Sequence, residues 1–395
     1  MSSPAGQHTI RRHNRALVLT QIADSPRQSR AQLALATGLT RATISGLVEE
    51  LITSGLVAEL MPDRGARGRP GSPLTLNPDG PVGLGIEINV DYATACLVDL
   101  TGAVRVRRTQ VIDNRQISPT AGLRLALGLA EQVRGVAEAA GLVVAGAAVA
   151  VPGLVDAAGV LRRAPNLPGW QGQDIAGVLR QALRMDVTVD NEANLAALAQ
   201  LWFGVEVGGQ DFVLVSGEVG VGAGLVLGGR LFRGIRGHAG ELGHVMVDPH
   251  GPPCGCGANG CLEQVAGQEA LLRQAAVLGL PGTPTAAPDG AVAELWRRAD
   301  AGDERTLAAL TQAGTALGQA LAGVINVVDV PVVVLGGLYA RLGRWLSPAI
   351  AAELDRRVIS RPWAPVEVRL SALGPEAAVR GAGATVVRRL IAEVG

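Results

Sequence analysis

An α/β fold is predicted for this 395-residue chain by three features of its sequence. Three short helical patterns and a strand–loop–strand stretch fill the first 80 residues, as a winged helix-turn-helix requires. Beyond them, apolar runs of strand length alternate with helical patterns in two sets, which calls for two α/β lobes with a cleft between them. Three clustered cysteines and a nearby histidine fall in the second set. The expected domains are residues 1–80 for the head and its linker, 81–190 for the first lobe with 375–395 completing it, and 191–374 for the second lobe with a metal-binding loop.

The head divides into a helix over about Thr9–Ala23, a second from Ser29 to about Thr37, and a third after the turn at Gly38. Thr40 is a good N-cap for that third helix, and Gly55 stands where helices end. Ile44, Leu47, Val48 and Leu51 recur at helical spacing and form its buried face. Thr40, Arg41, Ala42, Ser45 and Gly46 lie near its N-terminus, small or hydrogen-bonding residues that let a helix approach base edges. The stretch "LVAELMPDRGARGRPGSPLTLN" reads as two strands flanking a wing, with Arg64, Arg67 and Arg69 placed to reach phosphates or a narrow minor groove. Formal charge over the chain is zero, yet residues 1–76 carry nine arginines (11, 12, 15, 27, 30, 41, 64, 67, 69) against five acids (24, 49, 50, 59, 63), or +4, leaving −4 for the rest. A basic head on an acidic body fits a polyanion partner, here double-stranded DNA; by charge alone a solvated face fits equally. "NPDGP" (Asn77–Pro81) reads as a turn-rich linker.

In the body, "VGLGIEINVDYATACLVDLTGAV" reads as a hairpin, a helix follows over about Thr120–Ala140, and "AGLVVAGAAVAVPGLV" reads as a buried parallel strand running into a loop. That run is too short to span a bilayer and contains Pro152. No signal-peptide core precedes the head, so the expected location is the cytoplasm, with no membrane partner. Two further strands meet at a glycine-dense turn in "DFVLVSGEVGVGAGLVLGGRLF", a long helix covers about Glu304–Val327, and "PVVVLGG" ends at Gly336-Gly337. The scarce aromatic residues, 3% of the chain, leave core filling to aliphatic side chains.

Nine residues separate Gly243-His244 from "CGCGANGCLE", which offers His244, Cys254, Cys256 and Cys261 as four ligands for Zn²⁺. With all four positions taken by protein no activated water remains, so the expected metal is structural.

The spacing GH-x9-CxCGxxGCxE, together with "APNLPGW", "NEAN", "GHAGELGH" and the helices in front, resembles the ROK family of repressors, open reading frames and sugar kinases over essentially the whole chain. The resemblance implies an actin-like, sugar-kinase-like ATPase fold whose metal orders a sugar-holding loop. It implies sugar contacts at Asn166, Asn191, Glu192, Glu241, His244 and Glu263. Amides and carboxylates at these positions suit a ring of hydroxyls, which they read by paired hydrogen bonds. It further implies that a kinase would carry Asp at position 192, glycines at 89 and 90, and Gly-Thr at 218 and 219. This chain has Glu192, Asn89, Val90, Glu218 and Val219 there, and a glutamate facing triphosphate is repulsive. No catalytic residue is therefore assigned, and Glu192 is expected to accept hydrogen bonds rather than act as a base. Expected partners are a palindromic operator, a sugar or sugar phosphate, and a second copy of the chain, with pairing of dimers into tetramers left open. An active sugar kinase with a DNA-binding head is the rival expectation.

Overall fold

Two hydroxyl side chains set the start of the helices that follow the first one. In the computed structural model, which describes residues 5–61, 72–204, 211–277 and 288–393, the chain opens with helix α1 (Ala5–Asp24). Ser29 caps α2 (Arg30–Thr37), accepting from the Gln32 amide while Gln32 Oε1 accepts from the Ser29 amide at 2.8 Å. Thr40 caps α3 (Arg41–Thr53), and Gly38, at φ +72°, makes the left-handed turn between the two. α1 begins four residues before the expected Thr9, because Ala5 to His8 contain nothing stronger than Gly6 to interrupt a helix.

Val18, Leu19, Ile22, Leu33, Ile44 and Leu51 meet at the centre of the three helices. Strands β1 (Val57–Glu59) and β2 (Leu74–Leu76) pair antiparallel beside them, with Val57 opposite Leu76. The loop they bound, with Arg64, Arg67 and Arg69, lies outside the described residues. The stretch read as a linker is fastened at several points. Asn77 Nδ2 donates to the Gly55 carbonyl at 2.9 Å, and Arg105 donates to the Pro78 carbonyl at 2.8 Å. Leu100, Val387 and Ile391 of the body complete the head's own core, so head and first lobe share buried apolar surface.

The first lobe starts with the meander β3 (Val82–Ile88), β4 (Tyr92–Val98) and β5 (Val104–Val111), a third strand beyond the expected hairpin. Helix α4 (Pro119–Ala139) leads to β6 (Val144–Val151), then to a small sheet of β7 (Leu154–Val155), β8 (Val160–Arg163) and β9 (Gln173–Asp174). α5 (Ile175–Leu183), β10 (Val187–Asn191) and α6 (Glu192–Phe203) follow. The second lobe contains β11 (Phe212–Gly217), β12 (Val221–Leu227) and β13 (Arg230–Phe232), then α7 (Glu263–Ala266), α8 (Gln268–Gln274), α9 (Pro288–Asp300) and α10 (Glu304–Val328). β14 (Val332–Gly336), α11 (Gly337–Arg341), α12 (Gly343–Arg357) and β15 (Glu367–Leu370) complete it, and the last helix, α13 (Ala377–Glu393), returns to pack on β3, β4 and β6 of the first lobe.

The main sheets run β10-β6-β3-β4-β5 and β13-β12-β11-β14-β15. Each is an antiparallel meander extended by two parallel strands, so one topology occurs twice. β3 is buried along its length, as a central strand covered on both faces must be. α13 covers one face at a distance only glycine allows: a Cβ on Gly85 would lie 2.2 Å from the Val379 carbonyl oxygen. α6 and α13 pack between the sheets, where Ala148, Leu195, Phe212, Leu214, Val334 and Ala382 form one cluster.

Candidate functional site

At the C-terminal end of β10 the chain turns directly into α6, and Asn191 makes the turn. Its Oδ1 accepts from the Ala193 and Asn194 amides at 2.8 and 3.3 Å, while Nδ2 donates to the Gly153 carbonyl at 3.1 Å. Asn191 thus spends both oxygen lone pairs and one of its two N–H groups on capping α6 and holding the loop after β6. Glu192, the first residue of α6, is thereby delivered to the space between the lobes.

Glu192 Oε2 accepts from Asn89 Nδ2 at 3.1 Å. The same amide nitrogen lies 3.3 Å from Glu87 Oε1 and 3.2 Å from the Tyr92 hydroxyl, which itself donates to Glu87 at 2.6 Å. Burial pushes the Glu192 carboxyl up to about 8, and the neighbouring carboxylates, Glu87 foremost, add repulsion. Burial likewise lifts Glu87 to about 7 against the lowering effect of the Tyr92 and Asn89 hydrogen bonds.

On the opposite wall Glu263 opens α7. Its Oε2 accepts from Asn166 Nδ2 at 3.1 Å and from the Val221 amide at 3.2 Å. Glu241 starts a short 3-10 turn that ends at His244. Burial raises the Glu241 carboxyl, opposed by His244 and His238. His244 faces two ways: Nδ1 lies 3.7 Å from Cys254 Sγ, and Nε2 lies 3.9 Å from Glu241 Oε2.

The ligand atoms of His244, Cys254, Cys256 and Cys261 all fall within 4.8 Å of one another. A tetrahedral ion with bonds of ~2.0–2.3 Å needs edges of roughly 3.3–3.8 Å. Cys256 and Cys261 stand 3.6 Å apart, and the Cys254–His244 separation is 3.7 Å, so the donor set fits a small metal ion. The knuckle is closed by the Cys254 amide donating to Ala258 O at 2.8 Å and by Gly260 at φ +64°, where a Cβ would strike the Asp248 carbonyl oxygen.

All six side chains expected to read a sugar, Asn166, Asn191, Glu192, Glu241, His244 and Glu263, line one cavity of 280 Å³ between the lobes. Two residues that the sequence did not assign to it also face this space. Arg163 of β8 donates to the Cys256 carbonyl, tying the first lobe to the cysteine knuckle, and Asn89 contributes its amide. In sequence Asn89 reads only as an obstacle in a phosphate path; "NLPGW" draws attention to Asn166 and passes over the arginine pair just before it.

The family model of ROK matches residues 83–389. The chain belongs to the ROK family. Over 387 residues it is 27% identical to the xylose repressor of Bacillus spizizenii, covering 98% of both chains. A solved ROK transcriptional regulator described as a homologue of the Escherichia coli Mlc protein superposes with TM-score 0.78 and 28% identity, over 98% of this chain and 97% of that one. A ROK glucokinase from Streptomyces griseus, solved with glucose and AMPPNP, matches at TM-score 0.67 and 26% identity, over 77% of this chain and 98% of the kinase.

On the far side of Glu192 this ROK chain leaves a void of only 20 Å³, lined by Glu87, Glu192, Ser216, Glu218 and Gly336-Gly337 among others. An open groove of 530 Å³ lies on the same side, bordered by Tyr92, Arg107, Glu218 and Arg341. Glu218 lines both spaces.

In the head, Thr40, Arg41, Ala42, Ser45 and Gly46 are all exposed at the start of α3. Ala42 and Gly46 border a second groove whose other wall carries Arg11, Arg12 and Arg15 of α1. The run "RRHNR" displays those arginines in sequence, although only the fold sets them opposite α3.

Proposed function

We propose that this ROK chain is a sugar-responsive DNA-binding transcriptional regulator, a repressor of carbohydrate-utilisation genes released when a sugar fills the cavity between its lobes. One observation carries the reading. Six polar side chains from both lobes converge on a cavity large enough for a small ligand, in a chain whose head presents an exposed, N-capped third helix. The carboxyl and amide groups of Glu192, Glu263, Glu241 and Asn166 read sugar hydroxyls, and His244 offers Nε2 while Nδ1 faces the cysteines. Zn²⁺ held by His244, Cys254, Cys256 and Cys261 would supply structure and no chemistry. The winged head reads a palindromic operator through Thr40, Arg41, Ala42, Ser45 and Gly46, with Arg64, Arg67 and Arg69 on the wing, as part of a homodimer. Release requires the sugar to bind the DNA-incompetent arrangement of lobes and head more tightly than the competent one.

The rival reading is a sugar kinase with a DNA-binding head, favoured by the retained Gly336-Gly337 and the kinase-like fold. Against it stand Glu218 and the Glu87–Asn89–Glu192 cluster, which place carboxylates and a void of only 20 Å³ beside the sugar cavity.

A thermal-shift panel of free sugars, their phosphates and Mg·ATP separates the two. Xylose is the first sugar to test, since the full-length relative is a xylose repressor. A ligand at about a hundred times its Kd stabilises by roughly 2.7 kcal/mol. A shift with one free sugar and none with Mg·ATP is expected; a shift with Mg·ATP, followed by turnover, would establish the kinase instead.

A further inference from the structure

Three arginines line the groove between α1 and α3, which divides the exposed surface of α3 in two. Successive residues of a helix point about 100° apart. Arg41 and Ser45 therefore form one exposed stripe of α3, and Ala42 and Gly46 form the next. Only the second borders the groove of 870 Å³, whose opposite wall is the Arg11, Arg12 and Arg15 face of α1. A Cβ at Gly46 would meet nothing within 4 Å, so the α3 wall is open backbone flanked by small side chains. Three arginines face one acid, Glu50, which Arg11 engages as an ion pair.

From this we infer that the groove holds the sugar-phosphate backbone of one DNA strand: phosphates against Arg11, Arg12 and Arg15, deoxyribose against Ala42 and Gly46. The inference rests on the proposal that the head binds DNA, and it reassigns two residues within it. Ala42 and Gly46 become strand-contacting positions, while base reading falls to the Arg41–Ser45 stripe. Phosphate contacts of this kind position a protein and carry no sequence information. Glu50 acts as an internal competitor, holding Arg11 until a phosphate displaces its carboxylate.

The test uses the full-length protein, one duplex selected by the wild type from a randomised library, and a scrambled duplex of equal composition. Arg12→Gln should weaken both duplexes by the same several-fold factor and make the salt dependence shallower by about 0.9 per lost contact in each head. Glu50→Gln should tighten both several-fold and steepen the dependence, a gain that misfolding could not produce. Unchanged salt slopes in both variants, or a loss by Arg12→Gln confined to the selected duplex, would overturn the inference alone. A wild type with affinity for neither duplex would remove the DNA-binding reading and this inference with it.

Discussion

Gly381 of α13 lies against the backbone of Leu195 in α6 so closely that a Cβ would come within 1.9 Å of the Leu195 carbonyl oxygen. The contact joins the two helices sandwiched between the sheets. α6 starts at Glu192 in the cavity between the lobes, and α13 ends in the head's core through Val387 and Ile391. Gly381→Val would force the pair apart. Overpacking of this kind costs typically about 1–3 kcal/mol. The expected result is a lower urea midpoint with an unchanged denaturation slope, which separates lost stability from a changed unfolded state. An unaltered midpoint would mean that the helices already have room to separate.

The far end of the same pair meets the head through Arg388. Its guanidinium lies 5.5 Å from the Trp202 ring of α6 and 2.8 Å from Asp24 of α1. Exposed ion pairs contribute about 0–1 kcal/mol, so Arg388→Ala should barely change global stability. Its effect should show in coupling, which in switch proteins typically amounts to about 1–3 kcal/mol. The variant should bind sugar with wild-type affinity while the ratio of DNA affinities without and with sugar contracts. Titration calorimetry for the sugar and anisotropy for the DNA read the two quantities separately. An undiminished ratio would place the route between cleft and head elsewhere.

How far these relationships were legible in the sequence depends on their range along the chain. Thr40 as a cap, Gly38 as a turn, "NEAN" at a strand–helix junction and the cysteine spacing are local patterns, and the fold reproduces each. Asn89 meets Glu192 across 103 positions and Arg163 meets Cys256 across 93, beyond the reach of any periodicity. The stretch from Asn77 to Pro81 has the composition of a loose linker, but its fastening comes from Gly55 of the head and Arg105 of the first lobe, which only the fold brings near. Asn191 is in the expected place with a different use of its amide, since the N-cap requirement of α6 claims the oxygen before a sugar can.

The cysteine cluster makes a prediction that discriminates among the four thiols. Cys96 is buried on β4, where its sulfur is 3.5 Å from the Val379 carbonyl, far from the knuckle in chain and fold. Elemental analysis of the purified protein should find one zinc per chain in the wild type and in Cys96→Ser. Cys256→Ser should lose metal, by more than the roughly 10–100-fold that outer-sphere changes cost. It should also lose sugar affinity, because His244 and Cys256 themselves line the cavity. Full sugar affinity in metal-free protein would make the cluster a set of reduced thiols with no part in ordering the site.

The carboxyl pair Glu87 and Glu192 predicts an unusual dependence of stability on pH. Both are raised in the fold, to about 7 and about 8, from the ordinary glutamate value of 4.5. Between those limits the folded chain keeps protons that the unfolded chain has released, so stability falls as pH rises, by up to about 1.4 kcal/mol per pH unit for each group still protonated. The contribution is complete below about pH 4.5 and is lost by about pH 8, the reverse of what a salt-bridged acid gives. Because Asn89 and mutual repulsion link the two groups, they titrate as a pair rather than singly. Urea midpoints measured from pH 5 to pH 9 should decline across this window, on top of any background from exposed groups. Glu192→Gln keeps the shape, removes one titrating group and should flatten the decline, leaving the variant more stable than the wild type at pH 9. A wild-type profile that is level from pH 5 to pH 8 would mean that water reaches these carboxyls and that Glu192 is ionised when the sugar arrives. The cavity would then meet its ligand with a full negative charge, and sugar phosphates would be repelled from it more strongly than free sugars.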